Sequence, residues 1–491
     1  MSKAEVLLSC VFTLASPLSA WASRGSNQEG QAPMQPQHPS SEAVQQTTDP
    51  VSLRARLQQL GVQLTVTYYG DALGNPSGGV HRGLRYEGRL GAIVDADLDR
   101  LTGWSGATFH ASLHQIHGSG LSAANIENLM VVSGIEAPAA TRLFNLWIEQ
   151  AFGDKASLRL GQFTAAQEFL VSQNANLFVN STFGWPVITA ANLPSGGPAY
   201  PEATPGARLK LTPHERLTLM AAIFDGDPAG PGPGNPAERD PSGTAFRVSD
   251  PPLIIVEMAY AYHRGKQAGP QTNPNQEGSG ERTSAQPSPS AADATESGLP
   301  GSIKAGAWFH TGSFADQRFD TAGGPLAASS SQPLRHAGDV GFYGVFDQRL
   351  WRAGGGASDR GLSCFLRVSA APSDRNLIDR YLDLGLTWKG PVASRPDDTL
   401  GIGLAFGRVS PRAAARDREL VALTGMPMPI RDHEAAIELT YQWQLAQHWA
   451  LQPDVQYIDH PGGHVPDPLD STGASAIRNA TVLGMRALSR F

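Results

Sequence analysis

From Gly61 to the C-terminus, apolar and polar residues alternate with period two in one short segment after another. The segments centre on Val62–Tyr68, Leu90–Leu98, Phe109–His114, Phe144–Glu149, Leu158–Leu160, Ala207–Leu211, Leu217–Ile223 and Ile254–Tyr262. They continue through Ile303–His310, Phe342–Asp347, Leu362–Val368, Leu382–Trp388, Leu400–Phe406, Ile437–Trp443, Leu451–Tyr457 and Leu483–Ala487, sixteen in all. A period of two places alternate side chains on opposite faces of an extended chain, so each segment reads as a strand with one apolar and one wet face. With 53 Gly and 37 Pro among 491 residues, a helical bundle is excluded. Beyond the N-terminus no apolar run approaches the roughly 18 residues of a membrane helix. The mild net charge of −7 gives no basic surface for nucleic acid.

The connections carry a second pattern. Turns after even segments, near 99–105, 153–155, 212–215 and 446–447, are short. Loops after odd segments, at 70–88, 116–142, 164–205, 225–252, 311–339, 409–433 and 459–478, are long. Residues 264–300, rich in Gln, Pro, Ser and Gly, break this rule and read as a disordered low-complexity insertion, a missed strand pair being the alternative. At the N-terminus, Lys3, the apolar stretch Val6 to Leu18 and Ala20-Trp21-Ala22 predict a signal peptide over 1–22, and Cys10 is not placed as a lipoprotein cysteine. Residues 23–50 predict a disordered leader and 51–60 a short helix, with Leu53, Leu57 and Leu60 at helical spacing. Cys364 is then the only thiol, so no internal disulfide forms.

An even number of such strands behind a signal peptide predicts an all-β fold: a closed, antiparallel, 16-stranded transmembrane β-barrel over 61–491, exported through the periplasm to the outer membrane of a Gram-negative bacterium. Lipid offers no hydrogen bonds to a sheet edge, so the strands must close, and sixteen strands leave an aqueous lumen. The polar face carries Arg89, Asp95, His110, Glu149, Arg159, Arg208, Lys210, Glu257, Asp347, Arg367, Asp383, Glu438, Asp454 and Arg486. Arg or Lys on a lipid face would cost roughly 2–4 kcal/mol each near midplane, so these side chains are expected to line a water-filled interior. Trp388, Tyr441, Trp443 and Tyr457 lie toward strand ends, as interfacial aromatics do.

Ordered motifs over roughly 53–491 resemble the carbohydrate-selective porin family, OprB type. They are Leu53-Arg54 with Leu57 and Gly61; Leu160-Gly161-Gln162; Asn180-Ser181-Thr182-Phe183-Gly184-Trp185-Pro186; Thr204-Pro205-Gly206-Ala207-Arg208-Leu209; and Phe224-Asp225-Gly226-Asp227-Pro228. Asp347-Gln348, Pro372-Ser373-Asp374-Arg375-Asn376, Arg395-Pro396-Asp397-Asp398-Thr399-Leu400-Gly401, Glu438-Leu439-Thr440-Tyr441 and Leu451-Gln452-Pro453-Asp454-Val455-Gln456-Tyr457-Ile458 follow. Where the family usually has Asp-Trp-Gly-Gly before its N-terminal helix, Thr48-Asp49-Pro50 stands here. The resemblance implies an outer-membrane pore passing glucose and related sugars, narrowed by inward-folded loops and charged side chains.

A sugar offers hydroxyls at its edges and C–H patches on its faces, so a selective pore needs charged or amide groups and aromatic rings, bound weakly enough for release. The loop 164–205, with Gln167, Glu168, Asn174, Asn176, Phe178, Phe183 and Trp185, is the candidate constriction, and Arg159, Arg208 and Glu168 the candidate charged eyelet. Near-balanced charge suits a neutral solute. His110, His114 and His117 read as lumen residues, since His110 and His114 on one strand face stand roughly 13 Å apart, too far to share an ion. Neither metal nor cofactor is expected, and no enzyme: no short motif joins Ser, His and Asp, and no Gly-rich phosphate loop opens a helix. A general small-solute pore, a barrel hydrolase and a soluble sugar-binding β-protein are the competing readings. The expected partners are carbohydrate solutes, outer-membrane lipid and, through the last strand ending at Phe491, the barrel-assembly machinery, with the chain a monomer or homotrimer.

Overall fold

A computed structural model describes residues 50–263, 298–354 and 359–491. The expected signal peptide, nearly all of the expected leader and most of the 264–300 insertion lie outside them. Sixteen strands run in chain order as β1 (Val62–Ser77), β2 (Gly83–Asp97), β3 (Ala107–Gly118), β4 (Ala140–Phe152), β5 (Ala156–Phe163), β6 (Thr204–His214), β7 (Leu217–Phe224) and β8 (Leu253–Tyr262). They continue as β9 (Gly301–Asp320), β10 (Pro333–Arg352), β11 (Gly361–Ala370), β12 (Ile378–Lys389), β13 (Thr399–Val409), β14 (His433–Ala446), β15 (Trp449–Asp459) and β16 (Ala480–Arg490). Each pairs antiparallel with its sequence neighbours, and β1 closes on β16 from Thr67↔Arg490 to Ser77↔Thr481. Beside that seam, Val66 and Phe491 exchange backbone hydrogen bonds of 2.9 and 2.8 Å. β8 pairs directly with β9, Tyr262 opposite Gly301, so no missed strand pair stands between them.

The outer wall is apolar. Val66, Ile148, Leu160, Leu209, Ile223, Ile254, Val256, Met258, Ile402, Ile437, Leu439, Val455, Leu483 and Met485 are exposed on the barrel's outside, where only hydrocarbon could make such a surface stable. At the end bearing the short turns, Phe152, Tyr260, Trp351, Trp388, Trp443 and Trp449 are exposed as an aromatic girdle. The N-terminal helix α1 (Pro50–Gln59) begins one residue before its expected start. It packs Leu57 with Val62, Val94, Ala96, Leu98, Leu101 and Ala107, on the outward face of β1–β3 at the same end.

Four sequence expectations change. The Phe144 side chain turns inward, not outward, because a bulge opposite Ser112 and Leu113 inserts one residue into β4; its ring stacks on His114 at 4.4 Å. His117 faces outward rather than into the lumen, stacked on Tyr68 at 6.0 Å with Nε2 3.2 Å from the Tyr68 hydroxyl. The loops at 70–88 and 311–339 shrink, because β1–β2 pairing persists to Asn75↔Gly83 and β9–β10 pairing to Asp320↔Pro333. These hairpins outrun the apolar band, where polar residues suit both faces. The loop 409–433 holds a helix, α2 (Pro411–Thr424), started by Ser410, whose Oγ accepts the Arg412 N–H at 3.1 Å, and stopped by left-handed Gly425.

Candidate functional site

Two long loops enter the barrel: one joins β3 to β4, the other β5 to β6. The second loop is buried from Ala165 through Phe169, Leu170, Phe178, Phe183 and Ile188, packing with Met130 and Val132 of the first in a core shared with Trp308, Tyr343, Phe365, Tyr381 and Ala436 of the wall. An external loop this apolar can only be stable if it is covered. On the wall opposite, β13 presents Gly401, Gly403 and Gly407 inward. A Cβ at Gly403 would stand 2.9 Å from both the Phe178 and Phe183 rings, and one at Gly401 2.6 Å from Leu177. Neither glycine has a left-handed φ, so what they supply is room rather than conformational freedom.

The wall holds the loops chiefly by their backbone. Glu438 accepts the N–H groups of Val179 (2.6 Å) and Asn180 (2.9 Å), and Glu434 those of Leu129 (2.8 Å) and Met130 (2.5 Å). Arg367 pairs with Asp383 and donates to the carbonyls of Leu170 (2.8 Å), Thr182 (3.0 Å) and Phe183 (3.0 Å). Glu257 accepts the Leu170 N–H at 3.1 Å, and Lys304 donates to the Val171 carbonyl at 2.7 Å. Gln452 and Gln456 donate to the carbonyls of Leu177 (2.7 Å) and Val132 (2.8 Å). Asp347 accepts from the Ser172 hydroxyl (2.7 Å) and the Asn174 side chain (2.8 Å). Arg486 forks onto Asp71 at 2.8 and 2.7 Å, and Asp71 accepts from Ser133 at 2.7 Å. Asp454 accepts from Gln456 at 2.8 Å.

Arg367, Asp383, Glu438, Asp454 and Arg486 therefore do face inward, but they are buried beneath the loops instead of standing in water. Asp347, Glu257, Arg89, His110, Arg159 and Arg208 are likewise covered, whereas Asp95, Glu149, Glu168 and Lys210 keep part of their surface open. Desolvating so many charges is tolerable because each finds an opposite charge or polar partners, several of them peptide groups of the loops.

Four of the remaining predicted residues cluster where the second loop leaves β5 and rejoins β6. Arg159 donates to Glu149 (2.8 and 2.5 Å) and touches Glu168; Arg208 reaches Glu168 (3.1 Å), Glu149 (3.2 Å) and Ser157 (2.9 Å). The structure thus brings Arg159, Arg208, Glu168 and Glu149 into one network of two cations and two anions. The Arg159 guanidinium lies 3.7 Å from the Trp147 ring centroid, and His110 stacks on the Trp147 ring at 4.8 Å while bonding Asp95 at 2.8 Å. Trp147 and Glu149 sit two apart on β4, as inward neighbours must. Trp147 was legible as inward-facing but not as the ring beneath Arg159.

Lys210 faces the same interior from β6, two residues beyond Arg208. Arg89 stacks between Tyr69 (4.9 Å) and Tyr200 (5.3 Å). Trp185 is inside the loop body, its indole N–H donating to the Gly196 carbonyl at 2.9 Å. A further pair, missed in the sequence, joins Arg142 to Glu202 at 2.8 Å. Burial pushes the Glu202 carboxyl up to about 7 against the pull of Arg142.

Residues 81–491 match the family described as carbohydrate-selective porin, OprB family. Porin B of Pseudomonas aeruginosa is 24% identical over 459 residues, covering 87% of this chain and 89% of the relative. A putative porin, QuiX, of Acinetobacter baylyi is 23% identical over 441 residues, covering 84% and 87%. The high-pH structure of Pseudomonas putida OprB superposes with a TM-score of 0.73 at 23% identity, covering 90% of this chain and 97% of that one, and shares the fold. The chain belongs to the carbohydrate-selective porin, OprB family, whose members are channels, and is a β-barrel protein of the Gram-negative outer membrane.

Proposed function

We propose that this barrel passes neutral sugars of glucose size past the network of Arg159, Arg208, Glu149 and Glu168. The observation that carries the reading is the balance of that network: two guanidinium groups and two carboxylates, bonded to one another beside Trp147. A balanced network keeps the local potential small, which favours an uncharged solute over phosphate or a simple ion, while its donors and acceptors match sugar hydroxyls. The inward loops narrow the pore, and the partly open carboxylates of Glu149 and Glu168, set in place by the covered guanidinium groups, are what the solute meets. No reaction is required of the site; its groups bind and release.

Liposome swelling tests this. Glucose should enter faster than an amino acid of similar mass, and millimolar glucose should lower single-channel conductance in a planar bilayer. Glu168→Gln, which leaves an unbalanced positive charge, is expected to shift ion selectivity toward anions and weaken the glucose effect. Equal swelling rates for both solutes, with conductance indifferent to glucose, would favour a general small-solute pore.

The reading extends to export and assembly. Residues 1–22 act as a signal peptide, and the last strand is the segment the barrel-assembly machinery receives. Its terminal Phe491 carries the hydrogen bonds to Val66 beside the β1–β16 seam and lies edge-on to Trp449 at 6.0 Å. Deleting Phe491 should cut the amount of heat-modifiable barrel recovered from outer membranes, measured by its shift in electrophoretic migration; undiminished recovery would remove this role.

A further inference from the structure

The loops after β13 and β15 meet at the barrel rim in a cluster of imidazoles and carboxylates that the sugar path does not use. His460 Nδ1 lies 2.8 Å from Asp432 Oδ1, and His464 Nδ1 is 4.0 Å from Asp432 Oδ2. His433 Nε2 lies 3.1 Å from Asp459 Oδ2. The His460 ring stacks on His464 at 4.1 Å and tilts against His433 at 4.6 Å. In each of two triads, Asp432/His460/His464 and His433/Asp459/His460, one ligating atom per residue falls within 4.8 Å of the others.

The backbone that presents these rings is fixed. His460 and His464 both have left-handed φ, 51° and 74°, around Gly462 and Gly463 at 70° and 79°. For a side chain as large as imidazole this conformation is unusual, and the surroundings enforce it. Glu434 accepts the Gly462 N–H at 2.7 Å, the Gly463 carbonyl accepts from Asp432 N at 3.2 Å, and His464 N donates to the His460 carbonyl at 3.1 Å. The turn thereby folds two imidazoles, four residues apart, back onto one carboxylate.

We infer that this cluster is a binding site for a divalent transition-metal ion of the zinc class, held by His460, His464 and Asp432, with His433 and Asp459 alongside. Imidazole nitrogen suits Zn2+, Cu2+ and Ni2+ and disfavours the harder Mg2+ and Ca2+. Around a tetrahedral Zn2+ with bonds of about 2.0–2.2 Å, donor atoms stand roughly 3.3–3.6 Å apart. The present separations reach that with small rotations of half-exposed side chains. The ion replaces the protons that now bridge imidazole and carboxylate, and open positions are left for water. It ties the loop after β15 to the root of the loop after β13 at the mouth of the barrel.

The test is calorimetric titration of the detergent-purified full-length barrel, free of any polyhistidine tag and stripped with chelator, with ZnCl2 and separately MgCl2. One Zn2+ per chain should bind and Mg2+ should not. His460→Asn and His464→Asn, chosen because Asn tolerates left-handed φ, should each weaken Zn2+ binding at least about ten-fold, the loss typical even of outer-shell substitutions. His214→Gln, at the end of β6 on the far rim, should leave Zn2+ binding unchanged. Intact heat-modifiable migration of each variant shows that the barrel is folded. Absent or substoichiometric Zn2+ binding by the parent protein, or unchanged binding in folded variants at His460 and His464, would overturn the inference.

Discussion

Arg367→Ala is expected to lower barrel stability by roughly 3–5 kcal/mol, the usual consequence of removing one partner from a buried ion pair. Arg367 and Asp383 are both inaccessible to solvent, and the substitution strands the Asp383 carboxylate while freeing the carbonyls of Leu170, Thr182 and Phe183. The loop should then leave the wall. Two readouts follow: a lower midpoint for the heat-induced shift in electrophoretic migration, and higher, noisier single-channel conductance. The double variant Arg367→Met/Asp383→Leu removes the stranded charge and should recover much of the stability but not the loop's seat. If Arg367→Ala leaves both midpoint and conductance unchanged, the pair does not hold the constriction.

Gly403→Val should act on the same loop from β13, two strands along the wall from Arg367. Its new Cβ would fall 2.9 Å from the rings of Phe178 and Phe183, inside their contact distance, before the two methyl groups are counted. Overpacking of this kind costs about 1–3 kcal/mol, and the loop is more easily displaced than the wall. Conductance should rise and discrimination between glucose and larger sugars should fall. Leu404→Val, one residue on and facing outward, should change neither. A Gly403→Val barrel with parental conductance would show that the phenyl rings repack without moving the loop.

Much of this architecture was legible. Hydrocarbon outside and a polar interior impose a two-residue period that chemistry can hardly disguise, so each of the sixteen alternating segments lies on a strand, except that Leu98, at the end of the second, opens a short helix. Period alone could not reveal the bulge that turns Phe144 inward, because one inserted residue inverts the phase without changing composition. The alternation also assigned Arg367, Glu438 and Arg486 to the right face but not to the right medium. It tells which way a side chain points; whether water or a folded-back loop meets it depends on contacts hundreds of residues away in sequence. The β13 glycines were visible as spacing, and their use as room for Phe178 and Phe183 was not.

Other signals were present and unused. Ser410-Pro411 and Gly425 bracket α2 with an N-cap, a first-turn proline and a left-handed stop. Leu129 to Ile135 is too apolar for a loop left in water, and it forms part of the first inward loop, between β3 and β4. The network of Arg159, Arg208 and Glu168 could be anticipated because β5 and β6 flank the loop that carries Glu168. Glu149 completes it from β4, with Arg159 directly opposite in the strand register.

The grip on the inward loops has a consequence for how such a pore can change. Carboxylates, guanidinium and amide groups of the wall mostly grasp peptide N–H and C=O groups, which every amino acid except proline supplies in full. A loop held in that manner keeps its position while its own side chains are exchanged. Transport preference could therefore drift, or be redesigned by grafting loop sequences of equal length, with the barrel as an unchanged chassis.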